Sequence, residues 1–142
     1  MRSMWTIAAS MVALTVAVEA NAQVTCPAGT TRVQQVSQLV RGNTMCAARN
    51  GDSWQEFHSG SGNNGALIDY KLGPNHPIDP TKQVGTWNAQ NGANSSLTHT
   101  YGNTSYGWVV CDAGGGRYTL VSTGAAGTIT DVTIKQNQVP CS

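Results

Sequence analysis

Charge is scarce in this chain. Charged residues are 11% of the sequence, and 8 Lys and Arg against 7 Asp and Glu leave a net charge of +1. No cluster of Lys and Arg is present, which argues against nucleic acid as a partner, because such binding needs basic side chains to displace condensed counterions. It argues equally against an anionic membrane surface. Beyond residue 22 no apolar run approaches the roughly 20 residues of a membrane helix, so no membrane insertion of the remaining chain is expected. Also missing are close cysteine pairs of the C-x-x-C kind, H-x-x-x-H or H-E-x-x-H spacing among His58, His76 and His99, and a serine in a G-x-S-x-G context. These gaps leave no metal, no cofactor and no catalytic nucleophile to assign.

The N-terminus has a pattern of its own. Arg2 precedes an apolar stretch, Thr6 to Val18, and Ala20-Asn21-Ala22 follows. A basic start, a short apolar run and a small-x-small site describe a cleavable signal peptide over residues 1–22. The mature chain, 23–142, is then a single domain exported to the periplasm or the medium. The 4 cysteines agree, since Cys26, Cys46, Cys111 and Cys141 all follow the cleavage point. An even count in a small exported domain reads as two disulfides. The preferred pairing is Cys46–Cys111 with Cys26–Cys141, which staples both chain ends and one internal strand pair.

Apolar spacing changes along the chain. Val33, Val36, Leu39 and Val40 recur at helical intervals, with Thr30 or Thr31 as a cap and Gly42-Asn43 as a stop, predicting one short helix near 31–41. After Gly42 the period becomes two. Strands are expected near 44–48, 53–58, 66–71, 83–89, 96–101, 104–111, 117–122 and 128–135, separated by Gly- and Asn-rich breaks. The fold class is therefore all-β: a small antiparallel barrel of calycin-like form, or a sandwich, of about eight strands.

Four strings stand out: Leu39 to Cys46, Trp54 to His58, Asp69 to Gly73, and Asp79 to Trp87. Together they resemble a family of short secreted bacterial proteins of uncharacterised function, and the resemblance implies no activity. Gly85-Thr86-Trp87 also resembles the Gly-x-Trp of lipocalin and avidin barrels.

The densest polar group lies on one hairpin. Alternate residues of a strand share a face, so Trp54, Glu56 and His58 go together, and Leu67, Asp69 and Lys71 form the matching set on the next strand. If Glu56 lies opposite Lys71, His58 lies opposite Asp69. The expected arrangement has Phe57, Ile68 and Tyr70 in the core and the charged face in solvent, as half-solvated hairpins commonly alternate. The alternative turns Trp54, Glu56, His58, Asp69 and Lys71 into a barrel mouth as a ligand site. Glu56 and Asp69 as paired carboxylates, or His58 with Asp69 as an oriented base, are weaker readings, and no enzyme is expected. His99, beside Leu97 and Tyr101, is read as an ordinary half-buried residue. The leading function is a noncatalytic binding module for an unknown small ligand, glycan or envelope protein. A self-assembling extracellular protein and a small hydrolase are the alternatives.

Overall fold

A computed structural model describes residues 23–70 and 81–141. Its elements are β1 (Thr31–Arg32), α1 (Val36–Val40), β2 (Asn43–Arg49), β3 (Asp52–His58), β4 (Asn64–Tyr70), β5 (Thr81–Gln90), β6 (Ser96–Tyr101), β7 (Thr104–Gly114), β8 (Arg117–Ser122) and β9 (Thr128–Gln136). From β2 to β9 every strand pairs antiparallel with the next, and β9 returns to pair with β2. The result is a closed eight-stranded up-and-down barrel, with β1 added along the distal half of β7. Closure rules out the sandwich. All eight expected strands are present, because each carries the period-two pattern that a barrel wall demands. No helix among the described residues is long and apolar enough to cross a membrane. The predicted leader, Lys71 and His76 lie outside the described residues.

One end of the barrel is filled. Val36 and Val40 of α1 are fully buried and join Leu67, Trp87, Leu97, Val110 and Val132 in the core. The helix packs against β2, β5 and β6, where it works as a plug. It is shorter than the expected span because Thr31 and Arg32 pair with Asp112 and Cys111 of β7 instead. Tertiary pairing there overrides a helical apolar spacing, as it commonly does for short segments. Gly85 is required for space: a Cβ there would lie 2.2 Å from the Thr100 carbonyl oxygen across the β5–β6 ladder. Two residues on, the Trp87 indole N–H donates to the Ser59 carbonyl at 2.9 Å, tying β5 to the β3–β4 connection.

The preferred disulfide pairing is overturned. The bridges are Cys26–Cys111 and Cys46–Cys141. Barrel order gives the reason: the neighbours of β2 are β3 and β9, so Cys46 on β2 is remote from Cys111 on β7. The C-terminal tail instead folds back over β2 and β3. Thr44 donates its hydroxyl to the Asn137 carbonyl at 2.7 Å, and the Cys141 amide donates to the Gln55 side chain at 2.9 Å, which brings Cys141 to Cys46. Each bridge thus fastens one chain end to a barrel strand.

The β3–β4 register also differs from the conditional pairing. Glu56 lies opposite Asp69 and His58 opposite Leu67, two residues from the Glu56–Lys71 arrangement. The connection sets this register, because the Ser59 amide donates to the Ala66 carbonyl at 2.9 Å.

These bridges predict a measurable dependence. Peptide mapping without reduction should recover fragments joined as 26–111 and 46–141. Replacing Cys46 and Cys141 together by alanine should lower stability by about 2–4 kcal/mol, since the closed loop is long. Equal urea midpoints for the variant and the native protein would contradict that role.

Candidate functional site

The half of the barrel away from α1 is hollow. A cavity of about 530 Å³ opens at the end that carries the β2–β3, β6–β7 and β8–β9 turns. All eight barrel strands reach it. Met45, Ala47 and Arg49 alternate along β2, Trp54 and Glu56 along β3, His99 and Tyr101 along β6, and Thr104, Tyr106 and Trp108 along β7. Asp69, Val84, Leu120, Ala126 and Ile129 are the other described residues of the wall. Most of this lining is apolar. Tyr101, Tyr106 and Trp108 form an aromatic row, with Tyr106 and Trp108 nearly parallel at a centroid distance of 6.5 Å.

The polar groups converge on Glu56. Its side chain is buried, and the Tyr101 hydroxyl donates to the carboxyl, 2.6 and 2.8 Å from its two oxygens. His99 Nδ1 stands 3.7 Å from Glu56 Oε2. Behind it, His99 Nε2 and His58 Nε2 are 2.9 Å apart, and His58 Nδ1 lies 3.2 Å from the Glu56 carbonyl oxygen. His58 is fully buried, its ring tilted 65° to that of Trp87 at a centroid distance of 5.5 Å. The polar path therefore descends from the cavity wall to the plugged end: Tyr101, Glu56, His99, His58.

Burial sets the protonation of this path. Removal from water pushes the Glu56 carboxyl up from 4.5 to about 7, and the carboxylate of Asp69 adds to the rise while the Tyr101 hydrogen bond opposes it. Burial lowers His58 from 6.5 to about 4 and holds His99 well below the usual histidine range, with His58 contributing to the latter. Tyr101 is raised, first by burial and then by Glu56. Both imidazoles are thus neutral near pH 7, and the 3.7 Å approach of His99 to Glu56 is not an ion pair.

The expected orientation of the hairpin is reversed. Glu56 and His58 face the interior, whereas Phe57 and Ile68 lie only partly buried on the other face. The physical reason is closure. In an open hairpin the more apolar face would turn inward, but here the inward face is set by the whole ring of strands, and Leu67 and Leu97 share it with Glu56 and His99. Trp54, Glu56 and Asp69 line the cavity; His58 lies beneath it, screened by His99. His99 is 4% exposed rather than half-buried. Sequence reading missed His99, Tyr101, Tyr106 and Trp108. The signal was available in parity, since His99 and Tyr101 share a strand face with the apolar Leu97.

No known family model, curated protein or solved structure matches the chain. The site is therefore read from its own chemistry.

Its titration has a sign. The Glu56 carboxyl is raised on folding, so the stability it contributes is complete below pH 4.5 and is lost as pH rises to about 7. His58 is lowered on folding, so its contribution is complete above pH 6.5 and is lost as pH falls to about 4. Glu56→Gln removes the first dependence and leaves the second. The variant should match the native protein near pH 5, where the native carboxyl is protonated, and exceed it at pH 8 by about 1–3 kcal/mol. Urea unfolding at the two pH values tests this, and a variant less stable than the native protein at pH 8 would contradict it.

Proposed function

We propose that this protein is an exported, noncatalytic binding module of a bacterial envelope or medium that holds a small molecule inside its barrel. The carrying observation is the cavity: about 530 Å³, open at one end, apolar over most of its wall, with a few polar groups converging on Glu56. Small-molecule sites commonly have this volume and this mixture. Export is supported by the leader pattern and by the pairing of all four cysteines. Self-assembly is less well supported, because Tyr106, at 40%, is the one large hydrophobic residue that counts as exposed among the described residues, and it belongs to the cavity wall.

The neutral fluorophore N-phenyl-1-naphthylamine tests the cavity. Its emission should rise saturably on mixing with the native protein. Ala47→Trp, which fills the chamber from β2, should weaken that binding about tenfold or more while leaving the oxidised barrel folded by circular dichroism. Undiminished binding to a folded Ala47→Trp variant would place the fluorophore elsewhere.

A further inference from the structure

We infer that the cavity selects ligands with a protonated amine head, seated between the Glu56 carboxyl and His99 Nδ1, and an aromatic or aliphatic body lying toward the mouth. This rests on the barrel-binding reading and adds the chemical class of the ligand.

Hydrogen-bond accounting leads there. His58 Nδ1 faces the Glu56 carbonyl oxygen at 3.2 Å, and a carbonyl can only accept, so that nitrogen carries the proton. In the neutral ring Nε2 is then the acceptor. His99 Nε2, 2.9 Å away, must supply the hydrogen. A neutral His99 has no second proton, so its Nδ1 is a bare acceptor on the cavity wall, within a side chain 5% exposed. The single hydroxyl proton of Tyr101 is directed at Glu56. Above about pH 7, where the Glu56 carboxyl has given up its own proton, the hydrogens of this cluster are spent inward and acceptors face the cavity.

Two of those acceptors are 3.7 Å apart. That is too long for a direct hydrogen bond and suits a shared donor. A nitrogen about 2.9 Å from each closes a triangle on this edge. An ammonium has a hydrogen for each and brings a charge that a carboxylate strengthens. A hydroxyl head has one hydrogen for two acceptors, and a carboxylate head has none and meets Glu56 as a like charge.

The rest of the chamber agrees. Asp69 lies opposite Glu56 in the β3–β4 ladder and also lines the cavity. Among the described residues Arg49 is the cation of the lining, and it donates to the Ala126 carbonyl at the rim. Trp54, Tyr106 and Trp108 bring aromatic rings to the wall, a residue class that packs apolar bodies and attracts organic cations.

A matched series decides it. At pH 7.5, 2-phenylethylamine, 2-phenylethanol, ethylbenzene and 3-phenylpropanoate are compared as displacers of N-phenyl-1-naphthylamine from the oxidised native protein. The amine should bind at least about tenfold more tightly than ethylbenzene, and the carboxylate most weakly. In Glu56→Gln the ratio of amine to ethylbenzene affinity should fall toward one. Probe binding with the amine no better than ethylbenzene, or with the carboxylate strongest, overturns the head-group assignment and leaves the binding module standing. A preserved amine preference in folded Glu56→Gln also overturns it. Failure of every compound, the fluorophore included, overturns the barrel-binding reading and this inference together.

Discussion

The pairing of β9 with β2 is the constraint on which the rest depends. Asn43, Thr44, Met45 and Cys46 meet Gln136, Lys135, Ile134 and Thr133, and this short ladder turns a meander into a cylinder. Without it the sheet would have two open edges and an inner face with nothing opposite. With it, residues distant in sequence share one interior, and the inside of every strand is decided at once. The ladder is reinforced where it ends. Thr44, fully buried, donates to the Asn137 carbonyl and accepts from the Val139 amide at 3.2 Å, and the Cys46–Cys141 bridge locks the tail that follows.

Closure explains both what could be read in the sequence and what could not. Strand positions were legible because period two is local, and β6 and β8 have the expected bounds. Which face points inward is not local. Phe57 and Ile68 looked like core by hydropathy, yet they sit on the outside of the cylinder, where a partly buried apolar side chain is tolerated. Glu56 looked like surface, yet strand parity with Leu67 and the ring of neighbours carry it inward. The grouping of Trp54, Glu56 and Asp69 on one face was correct, since parity alone decides it. His99 and Tyr101 share a face with the apolar Leu97 by the same parity, but their meeting with Glu56 needed the register of β4, β5 and β6, which no single-strand pattern contains. The disulfides failed for the same reason: the pairing depends on strand order around the ring.

The two ends of the cylinder divide the work. At one end α1 delivers Val36 and Val40 into a dry core with Leu67, Trp87 and Leu97. At the other the same strands surround a chamber whose polar groups form two hydrogen-bonded pairs, Tyr101 with Glu56 and His99 with His58, set side by side. His58 belongs to the dry half and His99 to the chamber, so the 2.9 Å contact between them links the two regions. Its consequence is positional. The carbonyl of Glu56 holds the His58 ring, His58 holds His99, and His99 presents Nδ1 beside the Glu56 carboxyl. The main chain of a residue thereby helps orient the acceptor that stands next to its own side chain.

A hollow barrel of this size gives up apolar contacts that a filled one would keep, and a small domain has few to spare. Burying Glu56 without a full counter-charge adds to that deficit. The offset lies in the covalent framework rather than in the core. The bridges span 85 and 95 residues, and closing such long loops penalises the unfolded chain more than short ones would. Both also act away from the chamber. Cys26–Cys111 anchors the N-terminal segment and Cys46–Cys141 anchors the C-terminal tail, so neither places sulfur in the cavity wall. Stability supplied from outside the interior leaves the interior free to hold a carboxyl, two neutral imidazoles and empty volume, an arrangement that packing alone would not favour.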